Sequence, residues 1–157
     1  MRLYPADVEV VRYIARNMRE WDRREIFALR SDDDPDALVD DMTPLLRRAH
    51  AWTAHTDAGE PAAVFGAYER WPRRWSVFMF GTDSVPAIGL PLTRHVMRNV
   101  TPALEGLGML QADCYSLDGH VDAQNWLRVL GFVEQSRLPN YGRDGETFLR
   151  FVWQRGD

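Results

Sequence analysis

His120 opens the run His120-Val121-Asp122-Ala123-Gln124-Asn125-Trp126-Leu127-Arg128-Val129-Leu130-Gly131-Phe132. An imidazole titrates near neutral pH, so at a helix start it can exchange a proton without tuning, or simply hydrogen-bond the helix terminus. Tyr115, at the end of an apolar stretch, and Tyr141, in Tyr141-Gly142-Arg143-Asp144-Gly145, are phenols suited to proton donation. Asp83, in Phe80-Gly81-Thr82-Asp83-Ser84, could act as a base or cap the turn it begins. Arg94 and Arg98 lie one helical turn apart, a spacing that suits either a phosphate grip or a solvated face. Glu20, Asp22 and Glu25 alternate with Arg19, Arg23 and Arg24, the pattern of an ion-paired solvated face, although the acids could also line a ligand groove. Cys114 is the one cysteine, which excludes an internal disulfide and a multi-cysteine zinc site; on a strand it reads as a small hydrophobe and not a nucleophile. The acids Asp32-Asp33-Asp34 read as a solvated helix cap and not a metal loop, because no further oxygen ligands follow at loop spacing.

These side chains must be positioned by alternating helices and strands without repeats. A short strand over Arg2 to Tyr4 precedes a helix over Val8–Arg16, capped by Asp7 and apolar on Val8, Val11, Ile14 and Ala15. Met18–Leu29 has helical patterning. Ser31 or Asp34 can cap a third helix over Asp36–Ala49, with Pro35 in its first turn. The period then changes. Ala51–Thr56 and Ala62–Tyr68 form a predicted hairpin across Asp57-Ala58-Gly59-Glu60-Pro61, and a turn at Trp71-Pro72-Arg73-Arg74 adds Trp75–Gly81 as the third strand of a meander. A long helix is predicted over Leu92–Leu104, a strand over Met109–Tyr115, then the His120 helix. Its apolar positions Val121, Trp126, Leu127, Val129 and Leu130 define an expected buried face, ended by a left-handed Gly131 cap. Phe132–Arg137 and Thr147–Trp153 complete the strands.

Composition narrows the classes of function. The chain has 157 residues, 45% hydrophobic and 27% charged, suited to one globular domain with a single core. A formal charge of −4 argues against general nucleic-acid binding, which needs an excess of clustered cations. No apolar run approaches membrane-spanning length, and the opening Met1-Arg2-Leu3-Tyr4-Pro5 lacks an apolar signal core, so a cytoplasmic protein is expected. All the basic residues are arginine and none is lysine, a bias that a GC-rich genome accounts for.

A helix ending in Leu130-Gly131-Phe132 and passing straight into a strand resembles the last helix of the GNAT acyltransferase superfamily, where that segment flanks the thioester end of acyl-coenzyme A. The order of predicted elements is also similar to the GNAT order. Asn17-Met18-Arg19-Glu20-Trp21-Asp22-Arg23-Arg24-Glu25-Ile26, Ala51-Trp52-Thr53-Ala54, Gly59-Glu60-Pro61-Ala62-Ala63-Val64-Phe65-Gly66, Gly81-Thr82-Asp83, Trp126 to Phe132 and Tyr141 to Phe148 together resemble GNAT-like phage proteins grouped with podovirus internal virion protein A. The resemblance implies an α/β (α+β) GNAT-like fold: one domain over 1–157, with a mixed, mostly antiparallel central sheet of about six to seven strands flanked by helices. It also implies acyl transfer from acetyl-coenzyme A to an amine, or, alternatively, a non-catalytic role in a virion, with a phage or host protein as partner. The oligomeric state is left open.

Two departures from the family pattern shape the expected site. The glycine-containing pyrophosphate loop of GNAT enzymes is replaced by Val85-Pro86-Ala87-Ile88-Gly89-Leu90-Pro91, so Gly89, Arg94 and Arg98 are the expected phosphate contacts, and Phe80, Gly81 and Thr82 the expected strand end beside the acyl pocket. Counting back from Gly131, the position of the family's pantetheine-binding asparagine falls on His120, and that of its general-acid tyrosine on Leu127, which cannot deliver a proton. The resemblance therefore shifts proton transfer onto His120, with Tyr115 or Tyr141 as donor and Asp83 as a group that could orient the amine.

Overall fold

In the computed structural model, which describes residues 1–156, the extended runs become seven strands: β1 (Arg2–Pro5), β2 (His50–His55), β3 (Pro61–Trp71), β4 (Arg74–Gly81), β5 (Gln111–Leu117), β6 (Val133–Leu138) and β7 (Phe148–Gln154). Asp157, the last residue of the expected domain, lies outside the described residues. One sheet results, in the order β1-β2-β3-β4-β5-β7-β6, and every neighbouring pair is antiparallel except β4 and β5. A parallel pair cannot be joined by a hairpin, so the chain between Gly81 and Gln111 must cross over the sheet. This is the mixed, mostly antiparallel architecture expected from the sequence.

Helices cover both faces. α1 (Val8–Arg16) is capped by Asp7, whose carboxylate accepts from the Glu9 and Val10 N–H groups, and α3 (Pro35–Arg48) by Asp34. Val11, Ile14 and Ala15 of α1 pack with Leu38 and Val39 of α3, Phe27 of α2 (Glu20–Phe27), and Val64 and Phe80 of the sheet. On the opposite face, Leu127 of α6 (Val121–Val129) joins Trp75, Ala112, Leu149 and the fully buried Phe151. Burying a side chain of that size contributes about 3 kcal/mol relative to exposure.

Two expectations need correction. The predicted helix over Leu92–Leu104 is broken into α4 (Gly89–His95), a π-helical turn over Val96–Val100 and α5 (Thr101–Gly106). Pro102 cannot donate and its ring collides with the carbonyl four residues earlier, so the ladder slips just before it and the Thr101 N–H reaches Val96 O. The expected apolar face of α6 is also shifted: Val121 and Val129 are 56% and 58% exposed, while the polar Gln124 is buried beside Leu127. Gln124 is satisfied there because its Nε2 donates to Leu117 O at 2.9 Å. The cap is as expected. Gly131 has φ +97°, its N–H donates to Arg128 O and the Phe132 N–H to Leu127 O, which is a Schellman closure.

Gly81, at the end of β4, is required for packing. A Cβ there would lie 2.3 Å from Val85 Cγ2 and 2.6 Å from the Ala62 carbonyl oxygen, and a backbone atom cannot move aside cheaply. Gly81→Ala is therefore expected to destabilise the protein by about 1–3 kcal/mol, read as a lower urea midpoint at unchanged slope; an unchanged midpoint would contradict this packing.

Candidate active site

β4 and β5 are paired only where Arg74–Ser76 face Gln111–Asp113; beyond that point Val77–Gly81 and Cys114–Leu117 have no register with each other. The root of the split is tied by buried polar groups: Ser76 Oγ donates to Asp113 Oδ1 at 3.1 Å, and Arg150 grips Asp113 Oδ2 through Nε at 3.1 Å and Nη2 at 2.9 Å. The open end is bridged from the side of α2. Met18 forms an antiparallel bridge with Thr82, and the Arg19 N–H donates to Gly81 O at 2.8 Å. The Gly81 N–H donates to Asp22 Oδ2 at 2.8 Å, and the Leu117 N–H donates to Glu25 Oε2 at 2.9 Å. Two carboxylates of one short helix thus hold the ends of the parted strands.

His120 lies between those carboxylates. It precedes α6, yet its side chain makes no cap bond there; it turns to α2, with Nδ1 2.8 Å from Glu25 Oε2 and Nε2 3.5 Å from Asp22 Oδ1. Since a carboxylate can only accept, the Glu25 contact assigns the proton to Nδ1 and leaves Nε2 as the acceptor in the neutral ring. Trp21 stacks on the imidazole with ring centroids 5.5 Å apart and planes at 13°. The ring is 4% exposed and Asp22 3%. Ser116 Oγ also donates to Glu25 Oε2, which completes the polar lining.

Burial holds the Asp22 carboxyl above its ordinary value, against the opposing pull of Arg19, the Gly81 N–H and His120. Because the native state binds this proton more tightly than the unfolded chain does, the Asp22 contribution favours folding at low pH. It is lost as pH rises through the raised native pKa. Asp36 behaves oppositely. Its hydrogen bonds from Arg16 and Arg12 hold it below its ordinary value, so its contribution is lost as pH falls.

The other expected site residues fall into three groups. Tyr115 and Tyr141 come together as a stacked pair with centroids 5.3 Å apart, and Tyr115 belongs to the unpaired stretch of β5. Burial, followed by the neighbouring Tyr115, pushes the Tyr141 phenol up, so it keeps its proton at neutral pH. Phe80, Gly81 and Thr82 are buried at the end of β4, where Thr82 Oγ1 accepts from the Ser84 N–H and so caps the turn in place of Asp83. Asp83 is exposed and makes no side-chain hydrogen bond among the described residues. Arg94 and Arg98 are exposed and without ion pairs among the described residues, and a Cβ at Gly89 would meet nothing within 4 Å. Burial raises the Cys114 thiol far above its ordinary value, in keeping with its reading as a hydrophobe.

Asp22 and Glu25 correct the reading of α2 as a solvated acidic face. Their i, i+3 spacing puts them on one side of the helix, and the apolar Phe27 close by was the available hint that this short helix turns part of its polar surface inward.

The sheet order and the parted parallel pair define a GNAT fold. The chain superposes on a ribosomal-protein-alanine N-acetyltransferase from Brucella melitensis with a TM-score of 0.75 at 10% identity, covering 99% of this chain and 100% of that one. A structure described as a putative phosphinothricin N-acetyltransferase gives 0.71 at 11% identity, over 99% of both chains. The ribosomal-protein-S18-alanine N-acetyltransferase from Escherichia coli gives 0.69 at 14% identity, over 99% of this chain and 96% of that one. No family model matches the sequence. No curated protein matches it either. Among the described residues, no helix is long and apolar enough to cross a membrane.

Proposed function

We propose that this chain, as one domain over 1–157, is an N-acyltransferase that moves an acyl group from acyl-coenzyme A to an amine. The observation that carries the reading is the split between β4 and β5 with a paired imidazole and carboxylate at its open end. Solved N-acetyltransferases of the same fold support it at the level of the class.

The residues present suit the coenzyme at its phosphate end. The N–H groups of Gly89 and Leu90 have no acceptor among the described residues, and Arg94 and Arg98 are uncommitted cations one turn apart. The N–H groups of Val85, Ala87 and Ile88 are already bonded within the loop and the two prolines have none, so the guanidiniums take the larger share. When bound, the coenzyme supplies the acyl group activated as a thioester. His120 Nε2 accepts the ammonium proton of the amine while Glu25 holds Nδ1–H and fixes the tautomer. The Tyr141 phenol, which burial keeps protonated at neutral pH, or its stacked neighbour Tyr115 donates to the leaving thiolate.

A second reading, a non-catalytic GNAT-like phage protein carried in the virion, is favoured by the commitment of both the N–H and the carbonyl of Gly81 to α2 and its approach, which closes that strand edge. Calorimetric titration with acetyl-coenzyme A separates the two. The enzyme reading expects heat of binding, weakened about tenfold in Arg94→Ala. No heat at millimolar ligand sinks the enzyme, whereas unchanged affinity in Arg94→Ala removes only the phosphate assignment. The virion reading expects the protein to copurify with mature particles, and its absence from them counts against that class.

A further inference from the structure

A cleft of about 550 Å³ opens beside the His120 cluster, between α2 and the loop joining β6 to β7. Its floor is apolar, built from Phe27 and Leu117, and Leu117 is the residue whose N–H is held by Glu25. The cleft therefore adjoins the dyad that handles the proton.

Its charges are divided between two walls. Facing α2, Arg143 is neutralised by Asp33 at 2.7 Å and lies 3.6 Å from Asp144, Asp118 is paired with Arg137 at 2.9 Å, and Glu146 accepts from the Asp144 N–H at 2.8 Å. On the α2 wall Arg23 and Arg24 form no ion pair among the described residues. Both still line the cleft. Arg24 is also fixed in place: its guanidinium lies 4.2 Å from the centroid of Trp21, the ring that stacks on His120 at 5.5 Å. One aromatic ring thus touches both an unpaired cation and the proposed base.

We infer that the amine acceptor carries a carboxylate close to its amino group, as an α-amino acid does, and that Arg23 and Arg24 are the specificity-determining residues that grip it. A guanidinium matches a carboxylate with two parallel N–H donors, and in a partly enclosed cleft such charge-assisted bonds discriminate strongly against a neutral amide of the same shape. An acceptor held by its carboxylate on the α2 wall presents its amino group toward His120. The role of that amino group rests on the acyl-transfer reading, whereas the grip on the carboxylate does not.

The test is a saturation-transfer NMR experiment on the coenzyme-free protein with an equimolar mixture of the twenty α-amino acids, repeated with the corresponding α-amides. One or more amino acids are expected to receive saturation, their amides at least about tenfold less, and Arg23→Gln/Arg24→Gln to lose the signal with its thermal midpoint kept. The inference is overturned if no amino acid receives saturation, if amides and acids do so equally, or if the folded double variant binds as the wild type does. Release of coenzyme A thiol from acetyl-coenzyme A by the binding amino acid is then measured separately. Binding without thiol release leaves the carboxylate site standing and rejects the acyltransferase; thiol release with neutral amines alone does the reverse.

Discussion

Replacing His120 by alanine is expected to slow acyl transfer by roughly 10²–10⁴-fold, the usual contribution of a positioned acid–base group, while the heat of acetyl-coenzyme A binding is retained. The separation follows from position. His120 contacts Glu25 and Asp22 at the open end of the strand split, whereas the phosphate contacts assigned to Arg94 and Gly89 belong to the crossover after β4. The variant also leaves two carboxylates facing a void, so some stability is lost with the rate. His120→Gln separates the effects, since its amide can donate to Glu25 but cannot take up a proton from the amine. Gln is expected to recover the thermal midpoint and not the rate, and added imidazole to recover part of the rate in His120→Ala. Turnover equal to wild type in both variants would reject the role of His120.

The second large effect is expected at Asp22. Asp22→Ala removes the acceptor of the Gly81 N–H and the partner of Arg19, whose Nε and Nη2 donate to the carboxylate at 2.9 and 3.0 Å. Breaking a buried pair from one side in this way costs about 3 kcal/mol. Asp22→Asn keeps an acceptor for Gly81 and imitates the protonated acid, so it is expected to lose less. Its stability relative to wild type should rise with pH, because the wild type alone bears the cost of ionising a buried carboxyl whose native pKa is raised. Urea midpoints of the two proteins measured from pH 4 to pH 8 check the sign. A flat difference would show that burial does not raise the native pKa of Asp22, and one that falls with pH would show that Asp22 is stabilised in its charged form.

Much of this fold is readable along the chain because its signals are local. Asp7 and Asp34 cap helices through their own next few N–H groups, Gly131 is free to take the positive φ that a helix end uses because it has no Cβ, and the Ala51–Gly81 segment alternates toward two different faces as a meander must. Reading failed where an element's surroundings decide its state. The π turn before Pro102 is the exception, since the proline that causes it stands in the chain for any reader to see. The outward turn of Val121 and Val129 depends on Leu117 O being available to hold Gln124 inside.

The candidate site divides along the same line. By itself the sequence determined that His120 stands at a helix start, that Tyr115 lies on a strand, that the usual glycine loop is missing, and that the elements follow one another in GNAT order; the strand itself runs two residues past Tyr115, to Leu117. Each of those depends on residue type and short-range spacing. Only the tertiary structure decided that Glu25 and Asp22, more than ninety residues from His120 in the chain, close around its ring. The physical reason is the parting of β4 from β5: strand ends deprived of each other's hydrogen bonds must find other acceptors for their buried N–H groups. Two acids that look solvated on an isolated helix are the groups that supply them.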